Sequence, residues 1–193
     1  MVCQVCHRIS SRMLCPTCAQ GLRPAPDRVL PGGLRLVSAF EHAGSARVLV
    51  HHLKYRGVVS FAEVAAVALA ARLPPLPLVP VPRSLSRRWR YGIDPSRLLA
   101  RRLSRHLGVP VWDLLVPPLH GPRRAGGDHD RPAPGFRLRS PPRGPVIVVD
   151  DVVTTGATLM SAVAALGSRK VALVASVTAV AQVSSLPSRY GIP

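Results

Sequence analysis

The sequence predicts an α/β protein, in which a parallel sheet is flanked by helices and preceded by a small cysteine-rich segment. Strand-like and helix-like segments alternate along the chain, which favours a parallel sheet with helices on both faces. The segment 146–149, VIVV, is apolar at every position, as expected for a strand buried on both faces. All four cysteines lie within the first 18 residues, which sets that segment apart.

Length and composition limit the chain to one ordinary core with a small appendage. It has 193 residues, of which 47% are hydrophobic and only 4% aromatic, so the core must consist mainly of Val, Leu and Ala. The net charge of +17 favours polyanionic ligands, either phosphorylated small molecules or nucleic acid. Eight arginines fall within the 23 residues 83–105, where a merely solvated helix face is the alternative explanation.

The N-terminus has no apolar segment typical of a signal peptide. The longest apolar stretch, 58–81, is interrupted by Glu63, Arg72 and prolines, so we expect no membrane span and a cytoplasmic protein.

The cysteines Cys3, Cys6, Cys15 and Cys18 form two C-x2-C pairs separated by eight residues. Two disulfides are one interpretation. A reducing compartment and the paired spacing favour the other, a structural zinc ion held by four thiolates. Residues 1–24 are therefore predicted to be a zinc knuckle that depends on metal to fold, followed by a linker over 21–33 and a main domain over 34–193.

The elements of the main domain follow in order. In residues 34–42, apolar and polar side chains alternate as in a strand. In 45–55 and 58–73, the apolar side chains have the spacing of a helix. A short buried strand is predicted over 76–82 despite its prolines. Residues 94–108 form a basic amphipathic helix, with Asp94 as its N-cap and an apolar stripe of four leucines.

The C-terminal half begins with 116–145, which lacks periodicity and is rich in Pro, Gly and Arg. The strand at 146–149 comes next, then a helix over 157–167 and a last strand over 170–177.

The most informative run is 146–158, VIVVDDVVTTGAT. Asp150 and Asp151 are placed where the strand ends, which is the usual ligand edge of an open α/β sheet. The turn Thr154, Thr155, Gly156, Ala157 and Thr158 offers backbone N–H groups and hydroxyls to an anion, at the start of a helix. An ordinary turn with an N-cap is the alternative, but two of only nine acidic residues stand adjacent here.

This run resembles the phosphoribosyl pyrophosphate (PRPP) signature of type I phosphoribosyltransferases. The resemblance implies a type I phosphoribosyltransferase-like sheet. It also implies that Asp150 and Asp151 hold the ribose hydroxyls and that residues 154–158 hold the 5-phosphate. Magnesium would accompany PRPP.

The order of motifs over 3–178 resembles the ComF/GntX branch of that family: a four-cysteine knuckle, KYRG at 54–57, VPVP at 79–82 and the PRPP run. The resemblance places the segment after VPVP at the pyrophosphate. Arg83, Arg87, Arg88 and Arg90 are its candidate ligands there, since arginine forks bind such groups well. Lys54 and Arg56 either reach the same ligand or cap a helix.

The chain departs from the family pattern in two places. Residues 91–95 read YGIDP where the family has RGFNQ, and 119–138 differ from the family's mobile loop over the reaction centre. A degraded loop weakens catalysis more than ligand binding.

Three functions therefore stay open at this point. The first is a PRPP-dependent transfer of phosphoribosyl to a nitrogen nucleophile with release of pyrophosphate. The second is a non-catalytic PRPP or nucleotide sensor in DNA uptake during natural competence, in contact with single-stranded DNA or a DNA-uptake helicase. The third is a structural zinc module that mediates protein contacts.

Overall fold

The computed structural model describes residues 1–117, 119 and 135–180 of the chain. Its helices are α1 Pro16–Gln20, α2 Gly44–Tyr55, α3 Ser60–Ala70, α4 Leu85–Tyr91, α5 Pro95–Leu107 and α6 Ala157–Leu166, with a 3-10 turn at Ser168–Lys170. Its strands are β1 Arg28–Leu30, β2 Leu34–Glu41, β3 Leu78–Pro80, β4 Leu115–Val116, β5 Arg137–Leu138, β6 Val146–Val153 and β7 Val171–Ala179.

The central sheet has five strands in the order β1-β2-β7-β6-β3. Strands β2, β7, β6 and β3 run parallel, and β1 pairs antiparallel with β2 at one edge. Strands β4 and β5 form a separate antiparallel pair. The predicted α/β class with a parallel sheet between helices is confirmed.

The two faces of the sheet are covered by different helices. On one face, α2, α3 and α5 pack through side chains such as Leu53, Leu69 and Leu103. On the other face, α6 packs together with the β4–β5 pair. Strand β6 contributes to both clusters, and 146–149 are all buried, as the uninterrupted apolar run predicts.

The cysteine-rich segment packs on the main core. Cys3 is fully buried within the cluster formed by α2, α3 and α5, and Leu14 is 8% exposed in the same cluster. Met13 makes two further contacts. Within the segment, its carbonyl accepts the Gln4 N–H (2.9 Å), and its sulfur lies 3.0 Å from the Ser60 hydroxyl of α3 in the main domain. The segment is too short for a core of its own and shares that of the main domain.

The structure extends the predicted elements in three places. Strand β6 continues to Val153, so the aspartate pair lies inside the second half of the strand rather than after its end. The predicted linker over 21–33 contains β1, and the stretch after VPVP contains α4. Neither has an apolar pattern that would have indicated it. Most of the predicted mobile loop at 119–138, and the end of the predicted domain beyond 180, lie outside the described residues.

In the part of the chain that the structure describes, no helix combines the length and the apolar character that crossing a bilayer requires.

Candidate functional site

The chain leaves β3 and β6 toward opposite faces of the sheet. After β3 it enters α4 and α5 on the face covered by α2 and α3, and after β6 it enters α6 on the other face. Two adjacent parallel strands whose following helices diverge leave a crevice at their carboxyl ends. Pairing between these strands reaches Val149, whose carbonyl accepts the Val81 N–H (2.8 Å). Asp150 and Asp151 come directly beyond that point, at the crevice.

The two aspartates have different partners. The Asp150 carboxylate oxygen Oδ1 accepts hydrogen bonds from the Ser96 hydroxyl (3.1 Å) and from the Asp151 N–H (2.8 Å). The Asp151 carboxylate forms an ion pair with Lys54, at 3.0 Å between Nζ and Oδ1. Asp150 is thus buried against α5, while Asp151 meets the C-terminal turn of α2.

Burial, together with the negative charge of Asp151, raises the pKa of the Asp150 carboxyl from 3.8 to about 7. The Asp151 N–H, the Lys54 charge and the Ser96 hydroxyl oppose this shift. A carboxyl with such a pKa is partly protonated at neutral pH, so one side chain of the pair can donate a hydrogen bond while its neighbour accepts.

A third carboxylate lies close by. Asp94 caps α5, as predicted, because its Oδ1 accepts the Arg97 N–H (3.2 Å), and its Oδ2 accepts the Arg83 N–H (3.1 Å). Burial raises the pKa of Asp94, and the charge of Asp151 adds to that rise. The charge of Arg88 lowers it, which shows that this guanidinium lies within electrostatic reach of the acidic cluster.

The turn after β6 lines a concavity at the same edge of the sheet. Asp150 and residues 152–159 form its wall. Gly156 is buried and adopts a φ of 81°, a left-handed conformation that a side chain at this position would strain. Thr154, Thr155, Ala157 and Thr158 are exposed, and α6 begins at Ala157, whose N–H donates to the Thr155 hydroxyl at 3.4 Å. The first-turn N–H groups of α6 therefore lie at this turn.

The predicted basic residues divide into two groups. Lys54 joins the acid pair directly. The Arg83 guanidinium donates to the main-chain carbonyls of Lys54 and Ile93 (both 3.1 Å). In contrast, Arg87, Arg88 and Arg90 are exposed on α4. Arg56 is the C-cap of α2 and is also exposed, with its N–H bonded to the His52 carbonyl (2.9 Å).

The four cysteines come together as their spacing predicts. Their sulfur atoms all lie within 4.8 Å of one another, and those of Cys6 and Cys15 are 3.7 Å apart. A tetrahedral zinc ion with Zn–S bonds of about 2.3 Å requires sulfurs separated by about 3.8 Å. Backbone N–H groups of Cys6 and Cys15 lower the pKa of Cys3 to about 6, whereas burial and the neighbouring thiols raise the pKa of Cys18 to about 12. The donor set fits a structural zinc ion, and all four cysteines are free thiols.

Sequence reasoning missed two side chains that complete this edge. Ser96 follows the α5 N-cap and reaches Asp150 across the crevice. His42 follows β2, and its Nδ1 lies 2.9 Å from the Thr178 hydroxyl of β7. Burial lowers the pKa of His42, and the charges of Lys54 and Arg47 lower it further. No local pattern marks either residue, because their partners lie 54 and 136 positions away.

Comparison with known proteins agrees with this geometry. The phosphoribosyl transferase domain matches residues 54–191, which is most of the chain. The chain belongs to the phosphoribosyltransferase domain family. The matched segment begins at Lys54 and includes the acid pair and the 154–158 turn.

Curated relatives refine the family. The chain is 35% identical to the DNA utilization protein YhgH of Salmonella typhi over 188 residues, with 82% of this chain and 80% of that protein covered. It is 33% identical to the YhgH protein of Escherichia coli (strain K12) with the same coverage. The resemblance to ComF/GntX-type phosphoribosyltransferases is thereby confirmed.

We predict that Asp150→Asn stabilises the protein above pH 7. The folded state raises the pKa of Asp150 above its unfolded value, so ionisation of this carboxyl destabilises the fold. The destabilisation is absent below about pH 4, grows as pH rises and is complete above about pH 7. Unfolding by urea at pH 5 and pH 8 should show a gain on the order of a few kcal/mol that is larger at pH 8.

Asp113→Asn is the matched control, because its side chain is 48% exposed and pairs with Arg97 at the surface. We expect it to show no gain at pH 8. A variant Asp150→Asn that is less stable than the parent at pH 8 would contradict the assigned cause of the pKa shift.

Proposed function

We propose that this chain binds PRPP at the crevice between β3 and β6. The observation that carries the proposal is the unbroken path from the aspartates at the end of β6 through the 154–158 turn into α6. It brings the Asp150 carboxyl and a helix N-terminus to one concavity, beside Asp151, which is next in the chain. Carboxyl groups bind the hydroxyls of a sugar, and a helix N-terminus binds a phosphate.

The 5-phosphate occupies the turn in this proposal. Thr154, Thr155 and Thr158 supply exposed hydroxyls, and the backbone of the turn supplies N–H donors, of which that of Ala157 exchanges its Thr155 contact for the phosphate. The positive end of the α6 dipole favours an anion at the same place. A Cβ at Gly156 would require strained backbone in the centre of the turn, which accounts for glycine there.

The ribose 2- and 3-hydroxyls lie against Asp150 and Asp151. Hydroxyls both donate and accept, so they match one carboxylate and one partly protonated carboxyl. Lys54 balances the charge of Asp151 before the ligand arrives. Binding therefore does not leave two bare carboxylates facing the pyrophosphate.

The pyrophosphate extends toward α4, where Arg87 and Arg88 are exposed, with Lys54 at the base of the crevice. Adjacent carboxylate and phosphate oxygens are ligands that Mg²⁺ prefers, and Mg²⁺ bound to PRPP would neutralise charge on the leaving group. The residues present thus fit a magnesium–PRPP complex.

A transfer reaction would break the bond between C1 of the ribose and the pyrophosphate oxygen, which keeps the electron pair. A nitrogen nucleophile then forms the new bond to C1, and its proton passes to the released pyrophosphate or to water. The side chains described here orient the ribose and stabilise charge on the departing pyrophosphate. Release of pyrophosphate distinguishes transfer from binding alone.

Calorimetric titration of the protein with PRPP and Mg²⁺ tests the proposed binding. We expect saturable binding by the parent and a loss of at least about tenfold in Asp150→Asn with Asp151→Asn, because both ribose contacts change. Asp113→Asn should bind like the parent.

Absence of binding by the parent, or equal binding by the double variant, would overturn the proposal. With binding established, release of pyrophosphate on addition of nitrogenous bases shows transfer. Tight binding without release over a panel of bases indicates the sensor function.

We further propose that the four-cysteine cluster, within residues 1–24, holds one structural zinc ion. Occupation of all four positions by thiolates leaves no open coordination site for catalysis. Free thiolates persist in a reducing compartment, which supports a cytoplasmic location.

Zinc content measured on freshly purified, reduced protein should be one ion per chain. Cys15→Ser should lower it toward zero and reduce the melting temperature, because Cys15, Cys18 and Leu22 pack against the main core. Ile9→Ser is the control, since Ile9 lies in the same segment and is 92% exposed. A metal-free parent with full stability would contradict this proposal.

A second function, contact with single-stranded DNA, is favoured by α4. Trp89 is 80% exposed on this helix, between Arg88 and Arg90. An exposed indole among guanidinium groups suits stacking of a base beside the phosphate backbone. The names of the curated relatives, DNA utilization proteins, agree with this second function. A DNA-uptake helicase is the alternative partner for the same surface.

Fluorescence anisotropy with labelled single-stranded DNA tests the α4 surface. Trp89→Ala should weaken binding by about 5- to 100-fold with an unchanged salt dependence, since stacking contributes about 1–3 kcal/mol per base. Arg88→Ala should instead reduce the salt slope by about one. Trp89→Tyr should retain most of the affinity. No binding by the parent at low salt would exclude direct DNA contact.

A further inference from the structure

Arg83 is held from four directions. One nitrogen of its guanidinium, Nη1, donates to two carbonyls, those of Lys54 and Ile93, at 3.1 Å each. The guanidinium carbon lies 4.8 Å from the centre of the Tyr91 ring and 5.5 Å from that of Tyr55. The two rings are 4.9 Å apart and roughly perpendicular. Arg83 thereby joins the end of α2 to the turn between α4 and α5.

The two ends of this junction lead to the two aspartates. On one side, Arg83 binds the main chain of Lys54, whose ammonium group pairs with Asp151. On the other side, the guanidinium of Arg83 binds the carbonyl of Ile93, the residue before the α5 N-cap Asp94, and the main-chain N–H of Arg83 binds the Asp94 carboxylate. The first turn of α5 carries Ser96, whose hydroxyl donates to Asp150. Arg83 therefore contacts both segments of the chain that hold the two carboxyl groups, the end of α2 and the start of α5.

We infer that Arg83 is a positioning residue for the proposed ribose site, acting through Lys54 and the start of α5 rather than by contact with pyrophosphate. The inference rests on the proposed PRPP function. It assigns to Arg83 a role different from that of the arginines of α4, which are exposed and of which Arg90 lies over the Tyr91 ring at 5.7 Å.

Its chemistry supports this role. The planar guanidinium of arginine stacks on the two rings while its Nη1 donates one hydrogen to each of the two carbonyls. Lysine has no planar group to stack on the rings. Because the carbonyl of Lys54 lies in the last turn of α2 and accepts from Arg83, loss of Arg83 frees that turn to move, and with it the ammonium group that faces Asp151.

A double-mutant cycle distinguishes positioning from direct contact. Arg83→Met removes the donors at similar length, and Lys54→Met removes the ammonium group through which Arg83 is inferred to act. We measure the affinity for Mg–PRPP of the parent, both single variants and the double variant. Arg105→Met is the matched control, as an exposed arginine on α5.

A positioning role predicts a loss of about 10- to 100-fold for Arg83→Met in the parent, as for other supporting residues, and a much smaller loss in the Lys54→Met background. Equal losses in both backgrounds, or no loss in the parent, would overturn the inference. Should Arg83→Met fail to fold, as judged by its melting curve, the same cycle is run with Arg83→Lys. If the parent does not bind Mg–PRPP, the proposed function itself is refuted. Failure of the Arg83 inference is therefore distinguishable from failure of the PRPP proposal.

Discussion

The divergence of the chain after β3 and β6 is the constraint on which the site depends. Helices α2, α3 and α5 cover one face of the sheet, and α6 covers the other, so the carboxyl ends of β3 and β6 are not bridged by a common layer. Asp150 and Asp151 extend into the crevice that results. Burial of β6 on both faces fixes the strand, and the strand in turn fixes where its two aspartates and the following turn are presented.

Electrostatic asymmetry within the pair follows from this placement. Asp150 faces α5 and is desolvated, while Asp151 faces α2 and meets an ammonium group. Two adjacent carboxylates would repel each other if both were charged and unpaired. Protonation of one and pairing of the other relieve that repulsion without a bound ligand. The strongly basic surface around α4 adds a field that attracts polyanions to the same edge.

The N-terminal segment is joined to the same scaffold. Cys3 and Leu14 lie in the core formed by α2, α3 and α5, and Met13 contacts the start of α3. Helix α2 carries Lys54 in its last turn. A metal ion at the cysteines would therefore stabilise the helix layer that supports one side of the candidate site. The helix layer thereby connects the four-cysteine cluster to the run 146–158, which are the two motifs furthest apart in the chain.

The sequence by itself determined the fold class, the helices α2, α3, α5 and α6, the cysteine cluster and the turn at 154–158, because each depends on local periodicity or on fixed short spacing. Tertiary structure alone decided the partners of the aspartates. Ser96 and Lys54 are 54 and 97 residues from the carboxyl groups they contact, and no local pattern encodes such a pairing. The same holds for Arg83, whose position after VPVP suggests a ligand contact but whose guanidinium binds main-chain carbonyls. Strand β1 was also missed, since a three-residue edge strand is formed by its pairing with β2 rather than by its own propensity.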